Sequence, residues 1–191
     1  MKHPDDPNCI MKPAEGDLSV YTRSIVIDDV FEVNHPGVSA SVTNVTTVSQ
    51  YTEAWRTVSP WFTRTDSSTY YAETDDEVFL WMSFEEDNQS ADFTSRCPWG
   101  TLMVKLITGE SEKSYQCKYS GASSKVGYVN TRSTANEPIA PQTQAGYQCV
   151  FEIPRAEFEA AEEIYVEIVS KDYAFKYVMC IRGENGQLKQ E

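Results

Sequence analysis

Histidine is almost missing from this chain: His3 and His35 are its only two imidazoles. A Ser or Cys nucleophile needs a base that is itself held by a third group, and a zinc site needs clustered imidazoles or thiolates. One histidine near the N-terminus and one in a His-Pro-Gly turn supply neither. There is also no GxSxG, no HExxH, no glycine-rich phosphate loop and no CxxC. Acid chemistry of the glycosidase kind needs two carboxylates across a cleft, one of them in an apolar pocket. The acidic pairs here, Asp28-Asp29, Asp75-Asp76-Glu77, Glu85-Glu86-Asp87 and Glu162-Glu163, fall in polar runs at strand ends and read as solvated termini. The expectation is a protein that is not an enzyme and carries no cofactor.

Long apolar runs are absent as well. None approaches the roughly 18 residues of a membrane-spanning helix, and MKHPDDPNCIMKP at the N-terminus lacks the apolar stretch of a signal peptide. Basic residues are few: 16 Lys and Arg face 29 Asp and Glu, for a net charge of −13. That field repels phosphate backbones and anionic lipid, so neither nucleic acid nor direct membrane insertion is expected. A partner with a basic face suits the charge, although solubility alone accounts for an acidic surface.

What the chain has is strand-forming sequence. Tyr147–Ile153, Ile164–Val169 and Tyr173–Ile181 are rich in Tyr, Val, Ile and Phe. Pro154–Ala161 between the first two reads as a helical turn anchored by Phe158, and Ser170-Lys171-Asp172 as a hairpin loop. Leu18–Val33 is strand-like, with Asp28-Asp29 as a bulge or a break. Val38–Val48 alternates Val with Ser, Thr and Asn, the pattern of a strand with one wet face. Val78–Phe84 (VFLWMSF) is the most hydrophobic run in the chain, which fits a central strand buried on both faces, with Trp81 in the core. Thr101–Ile107 and Ser114–Tyr119 form a hairpin. Tyr51, Ala54, Trp55 and Val58 follow the i, i+3, i+4, i+7 spacing, which predicts a short helix over Ser49–Ser59. The expected fold is all-β: an antiparallel, divergent Ig-like β-sandwich with one or two short helices. It occupies residues 16–183, between a loose arm at 1–15 and a polar tail at 184–191. The Ser-, Gly- and Thr-rich stretch 120–145 is longer than ordinary loops, so it holds either a short strand near Tyr128 or a functional excursion.

Three features bear on function. Trp55, Trp61, Phe62, Tyr70, Tyr71, Trp99 and Tyr128 exceed what the core obviously needs; packing under loops is one account, and a protein-binding face carried by Trp61, Phe62, Trp99 and Tyr128 is the other. The sequons at Asn44 and Asn88 suit a luminal or secreted setting. Of the five cysteines, Cys117, Cys149 and Cys180 sit in strand-like runs, which suits two bridges and one odd thiol in an oxidising compartment. Many pairings are open; Cys97–Cys180 with Cys117–Cys149, leaving Cys9 odd, is the one expected.

Tyr115-Gln116-Cys117 and Tyr147-Gln148-Cys149 each place a Tyr two residues before a strand cysteine, as around strand F of an immunoglobulin domain. No cysteine precedes Trp81 at the distance such a domain requires. With the two sequons, these motifs give the chain a resemblance to the luminal domains of viral immune-evasion glycoproteins, most of all the mouse cytomegalovirus type I glycoproteins that associate with MHC class I. The resemblance implies an excised ectodomain in the endoplasmic reticulum, at the cell surface or secreted. It also implies a host immune partner such as the class I heavy chain. A viral capsid or structural β-protein, and a secreted calcium- or carbohydrate-binding module, are the alternatives. For calcium, the acidic clusters flanking Val78–Phe84 would have to join neighbouring loops, because a strand of that length spans about 20 Å.

Overall fold

The structure, a computed structural model, describes residues 12–14, 17–32, 37–72, 76–94, 99–123, 125–131, 138–170 and 175–182. In chain order the elements are β1 (Lys12–Ala14), β2 (Asp17–Ser24), β3 (Val30–Glu32), β4 (Val38–Val48), β5 (Gln50–Val58), β6 (Thr63–Tyr71), β7 (Glu77–Asn88), β8 (Trp99–Thr108), β9 (Ser111–Gln116), β10 (Tyr119–Ala122), β11 (Tyr128–Asn130), β12 (Thr143–Pro154), α1 (Arg155–Ala160), β13 (Glu163–Ser170) and β14 (Phe175–Arg182). They form a six-stranded sheet, β1-β2-β14-β13-β8-β9, and a five-stranded sheet, β10-β12-β7-β4-β3, packed face to face. A third sheet, β11-β5-β6, covers the other face of the five-stranded one. The fold is a β-sandwich with an added layer. Pairing is antiparallel except at β14–β2 and β11–β5.

The alternation of β7 explains why two covers are needed. Val78, Leu80, Met82 and Phe84 point into the main core, where they meet Tyr147, Cys149, Phe151 and Ile153 of β12 and Val104, Val166 and Met179 of the six-stranded sheet. Phe79 and Trp81 point the other way and join Val150, Tyr51 and Val129 in a second, smaller core. Burying a large apolar side chain is worth about 1.5–3 kcal/mol, so neither face of β7 can be left to water. Trp81 is indeed a core tryptophan, but of this second core. Its indole Nε1 donates to Gln148 Oε1 at 2.5 Å, and Ser83 Oγ donates to the same oxygen at 2.7 Å, so the buried polar atoms are paired.

The chain crosses between layers where the sequence signals a turn. Asp28 takes a positive φ of 68°, and Asp29 Oδ2 accepts from the Val26 amide at 2.8 Å. Asp28-Asp29 is thus a break: β2 lies in the six-stranded sheet and β3 in the five-stranded one. In β4 a bulge between Val42 and Asn44 shifts the phase by one residue, so that Val38, Ala40 and Val42 and then Val45 all face the core. Helix α1 closes one end of the sandwich with Phe158 buried. Arg182 is itself buried; its guanidinium lies 4.4 Å from the Phe158 ring centroid and donates to the carbonyls of Phe158 and Ala161, satisfying backbone acceptors at the helix end.

Two expectations need correction. Ser49–Ser59 is not a helix: residues 50–58 form β5, in register with β6 over nine residue pairs from Gln50↔Tyr71 to Val58↔Thr63. The apolar spacing matched a helix, but Thr52, Thr57 and Val58 are β-branched, and Tyr51 and Trp55 are aromatic, so local preference already leaned to strand. Pairing with β6 and, in parallel, with β11 completes it. Glu85-Glu86-Asp87 is not a solvated strand end either, since β7 continues to Asn88, and Glu86 and Asn88 are buried. The short strand near Tyr128 exists as β11; 132–137 lie outside the described residues.

Strands β10 and β11 approach closely at Gly121, where an added Cβ would stand 2.2 Å from the Asn130 carbonyl oxygen. Gly121→Ala is expected to destabilise the protein by about 1–3 kcal/mol through forced separation of the two backbones. The shift of the urea midpoint at unchanged slope measures it.

Candidate functional site

The third sheet carries the features that the core does not absorb. Its hairpin turns through Ser59-Pro60-Trp61-Phe62. The Ser59 amide donates to the Phe62 carbonyl at 2.9 Å and the Trp61 amide to Ser59 Oγ at 3.1 Å, while Pro60 fixes φ inside the turn. Trp61 is 91% exposed and Phe62 56%. Two large apolar rings thus stand at the tip of a hairpin whose base is clamped in the second core.

That base is a tyrosine cluster. The rings of Tyr51 and Tyr70 stack at 4.9 Å; Tyr119 lies 6.0 Å and 5.7 Å from them, and Phe79 meets Tyr51 edge-on at 4.9 Å. The hydroxyls are tied to acids. Tyr51 Oη donates to Glu152 Oε1 at 2.8 Å, and Tyr70 Oη to Glu53 Oε2 at 3.3 Å. The other oxygen of Glu152 receives Lys118 Nζ at 3.1 Å, and Thr131 Oγ1 donates to Glu53 Oε1 at 3.2 Å. Burial, with the Glu152 carboxylate behind it, holds the Tyr51 phenol far above its ordinary range. Hydrogen bonding to Tyr119 and then burial push Tyr70 up to about 12. These phenols stay neutral and donate; none is a proton acceptor near neutral pH.

Where the end of β6 passes the start of β7, a groove of about 450 Å³ opens, lined by Tyr70, Tyr71, Phe79, Asp76, Glu77 and Glu152. Tyr71 is 62% exposed.

The residues expected to form one binding face do not converge. Trp61 and Phe62 are neighbours at the hairpin tip. Tyr128 is half-buried on β11 and pairs with Thr52, about 20 Å of strand from the tip. Trp99 opens β8 in a different sheet, and its side chain is not among the described residues. The tyrosine cluster escaped the sequence reading because its members come from β5, β6 and β10; the doublet Tyr70-Tyr71 was its only local sign.

Neither expected disulfide forms. Cys149 is fully buried between the two large sheets, in the main core. Cys117 is a free thiol where the chain crosses from β9 to β10, donating to the carbonyls of Tyr119 at 3.0 Å and Val150 at 3.6 Å. Cys180 is a free thiol too. The inward residues of β14 are Tyr177, Met179 and Ile181, which places Cys180 on the sheet's outer face, its thiol donating to the Arg182 carbonyl at 3.3 Å. Cys9 and Cys97 lie outside the described residues, as do His3 and His35. The ring of Tyr147 is buried and its hydroxyl donates to Ser120 Oγ at 3.0 Å, with Cys149 on the same inner face.

The side chain of Asn88, the second expected glycan acceptor, is engaged in the folded chain. It is fully buried, and its Nδ2 donates to the carbonyls of Asp92, Ile139 and Ala140 at 2.8–3.1 Å. Its Oδ1 accepts from the amide and hydroxyl of Ser90. A sugar on that nitrogen would break the pins that hold 138–140 against the end of β7. Asn44 lies on β4 and is partly exposed. Of the acidic runs, Asp76 and Glu77 contribute to the groove, while no group of three or more metal-ligating side chains comes together among the described residues.

Comparison with known proteins bears on the fold. No family model and no curated protein matches the chain. An uncharacterised β-sandwich protein from Clostridium difficile 630 superposes with a TM-score of 0.58 at 12% identity, over 83% of this chain and 93% of that one. A conserved hypothetical protein from Bacillus anthracis matches with a TM-score of 0.43 at 14% identity, over 75% and 88%. The first shares the sandwich architecture. Neither is a viral immune-evasion glycoprotein, and the resemblance drawn from the Tyr-Gln-Cys motifs gains no support from them.

Two outcomes test this geometry. Asn88→Ala is expected to cost about 1–3 kcal/mol, because buried carbonyls lose their donor, and the wild-type chain passed through a glycosylating host should carry no sugar at Asn88 by peptide mapping. The second concerns alkaline pH. Tyr51 and Tyr70 titrate higher folded than their ordinary value of 10.0, as do Tyr115, pushed up to about 12 by burial and then by bonding to Glu157, and Tyr165, pushed up to about 12 by bonding to Glu163 and then by burial. Their contribution to stability is complete below pH 10 and is lost as pH rises from there through the folded values. Tyrosinate absorbance should therefore show these four phenols still largely unionised at pH 10, where ordinary tyrosines are half ionised, and the urea midpoint should fall above pH 10.

Proposed function

We propose that this protein is a non-enzymatic recognition module that engages a partner protein through the tip of the β5–β6 hairpin. One observation carries the reading: Trp61 and Phe62 stand exposed on a turn whose own backbone hydrogen bonds and clamped base keep them there. Exposing two adjacent large aromatics to water is unfavourable unless something covers them, and tryptophan is among the residues most often found to anchor interfaces. Because the rings are already presented, little conformational entropy is lost on docking. The net charge of −13 selects against acidic partners and for basic faces.

The resemblance to viral immune-evasion glycoproteins carries one candidate partner with it, an MHC class I heavy chain, in a luminal or cell-surface setting. The test uses the intact protein and a Trp61→Ala/Phe62→Ala variant, immobilised side by side and probed first with recombinant class I complex and then with cell extract. Loss of two anchors is expected to weaken binding by about 30-fold or more while the melting temperature stays unchanged. Equal retention of the same partners by both forms would remove the hairpin tip from the interface.

A further inference from the structure

We propose that the groove between β6 and β7 binds a guanidinium group, presented as an arginine side chain of another protein. The site lies at the far end of β6 from Trp61, about 26 Å along the strand, and the inference stands whether or not the tip is an interface. Its walls are of two kinds. Tyr71 and the partly exposed Tyr70 supply aromatic surface above the buried Phe79, and Asp76, Glu77 and Glu152 supply carboxylates. Rings with acids beside them are the surroundings in which a planar organic cation gains most, since its face stacks on the ring while its edge donates to oxygen.

The carboxylates are unequally engaged. Glu152 is held by Tyr51 Oη and Lys118 Nζ. Asp76 and Glu77 have no side-chain hydrogen bond or ion pair within the described residues, although Glu77 lies close enough to Lys118 to help raise its pKa after Glu152 has done most of it. The other cation beside them, Arg155, is committed elsewhere: its Nη2 donates to the Glu77 carbonyl at 3.1 Å and its Nη1 faces Glu159 at 3.7 Å. The groove therefore keeps two adjacent negative charges facing accessible aromatic rings, and its size is within the range of small-ligand sites. A hydrated metal ion would have no use for the rings, and an anion would meet the acids. Free arginine would bring its own α-carboxylate against the acidic wall; a residue within a chain has none.

The probe is N-acetyl-arginine methylamide, titrated into the whole protein while aromatic-ring proton resonances are followed by NMR. Saturable shifts confined to a few Tyr and Phe rings are expected, with millimolar or tighter affinity that weakens as salt is added. N-acetyl-citrulline methylamide, the neutral isostere, should bind at least tenfold more weakly, and free arginine more weakly than the capped residue. The Asp76→Asn/Glu77→Gln variant should lose at least tenfold, and so should Tyr71→Ala, whose exposed ring is not needed for folding. Glu110→Gln, in the β8–β9 turn of the six-stranded sheet and outside the groove lining, should change nothing. Equal binding of citrulline, or an equal loss in Glu110→Gln, would reduce the effect to general contact or general surface charge and overturn the proposal. So would the absence of shifts in a folded wild-type sample. Tighter binding of free arginine would overturn the assignment to a protein side chain.

Discussion

The molecule depends on one constraint, the burial of both faces of the five-stranded sheet. Val78, Leu80 and Met82 on one side of β7 and Phe79 and Trp81 on the other each need an apolar cover. The six-stranded sheet supplies the first, with the side chains of β8, β13 and β14 interdigitating with those of β7 and β12. The second comes from a three-stranded sheet made of the β5–β6 hairpin and the short β11. Without that layer Trp81 and Phe79 would face water, and the bonds from Trp81 and Ser83 to Gln148 would lose their shelter.

The same constraint accounts for where the surface features lie. A cover need only be as wide as the apolar patch beneath it, and the hairpin is longer than that. Its base is fixed by Tyr51 and Tyr70 stacking over Phe79, while its far end runs past the core and presents Trp61 and Phe62. At the other end of β6, the chain must return to the sheet below to begin β7, and the step between layers leaves the groove. Both sites proposed for recognition are thus edges of one covering layer. The acids that tie down the tyrosine hydroxyls, Glu53 and Glu152, keep that layer rigid enough to hold ligand-facing groups in place.

The cysteines and Asn88 show how a motif's meaning depends on its setting. Tyr-Gln-Cys occurs twice, yet Tyr147-Gln148-Cys149 directs its ring and thiol into the main core, and Gln148 into the second one, where it serves Trp81. In Tyr115-Gln116-Cys117 the tyrosine hydroxyl bonds to Glu157 and the thiol bonds to backbone carbonyls at a layer crossing. The sequon at Asn88 is chemically intact but its nitrogen is spent on three carbonyls. None of these differences involves the local sequence; each comes from what the strand on either side is packed against.

Patterns of short range were legible in the residues alone. Two-faced apolarity marked β7 as a central strand, alternation marked β4, Asp28-Asp29 marked a bulge or a break, and Phe158 after Pro154 marked the helical turn; each follows from the bonding and burial needs of a few consecutive residues. Few histidines and a surplus of acid likewise argued against whole classes of chemistry before any fold was known. The seating of the β5–β6 hairpin on the five-stranded sheet, its parallel pairing with β11, the meeting of Tyr119 with Tyr51 and Tyr70, and the burial of Asn88 were decided at long range. They arise from pairings between segments dozens of residues apart, and a pairing energy shared between two distant strands leaves no periodic trace in either one.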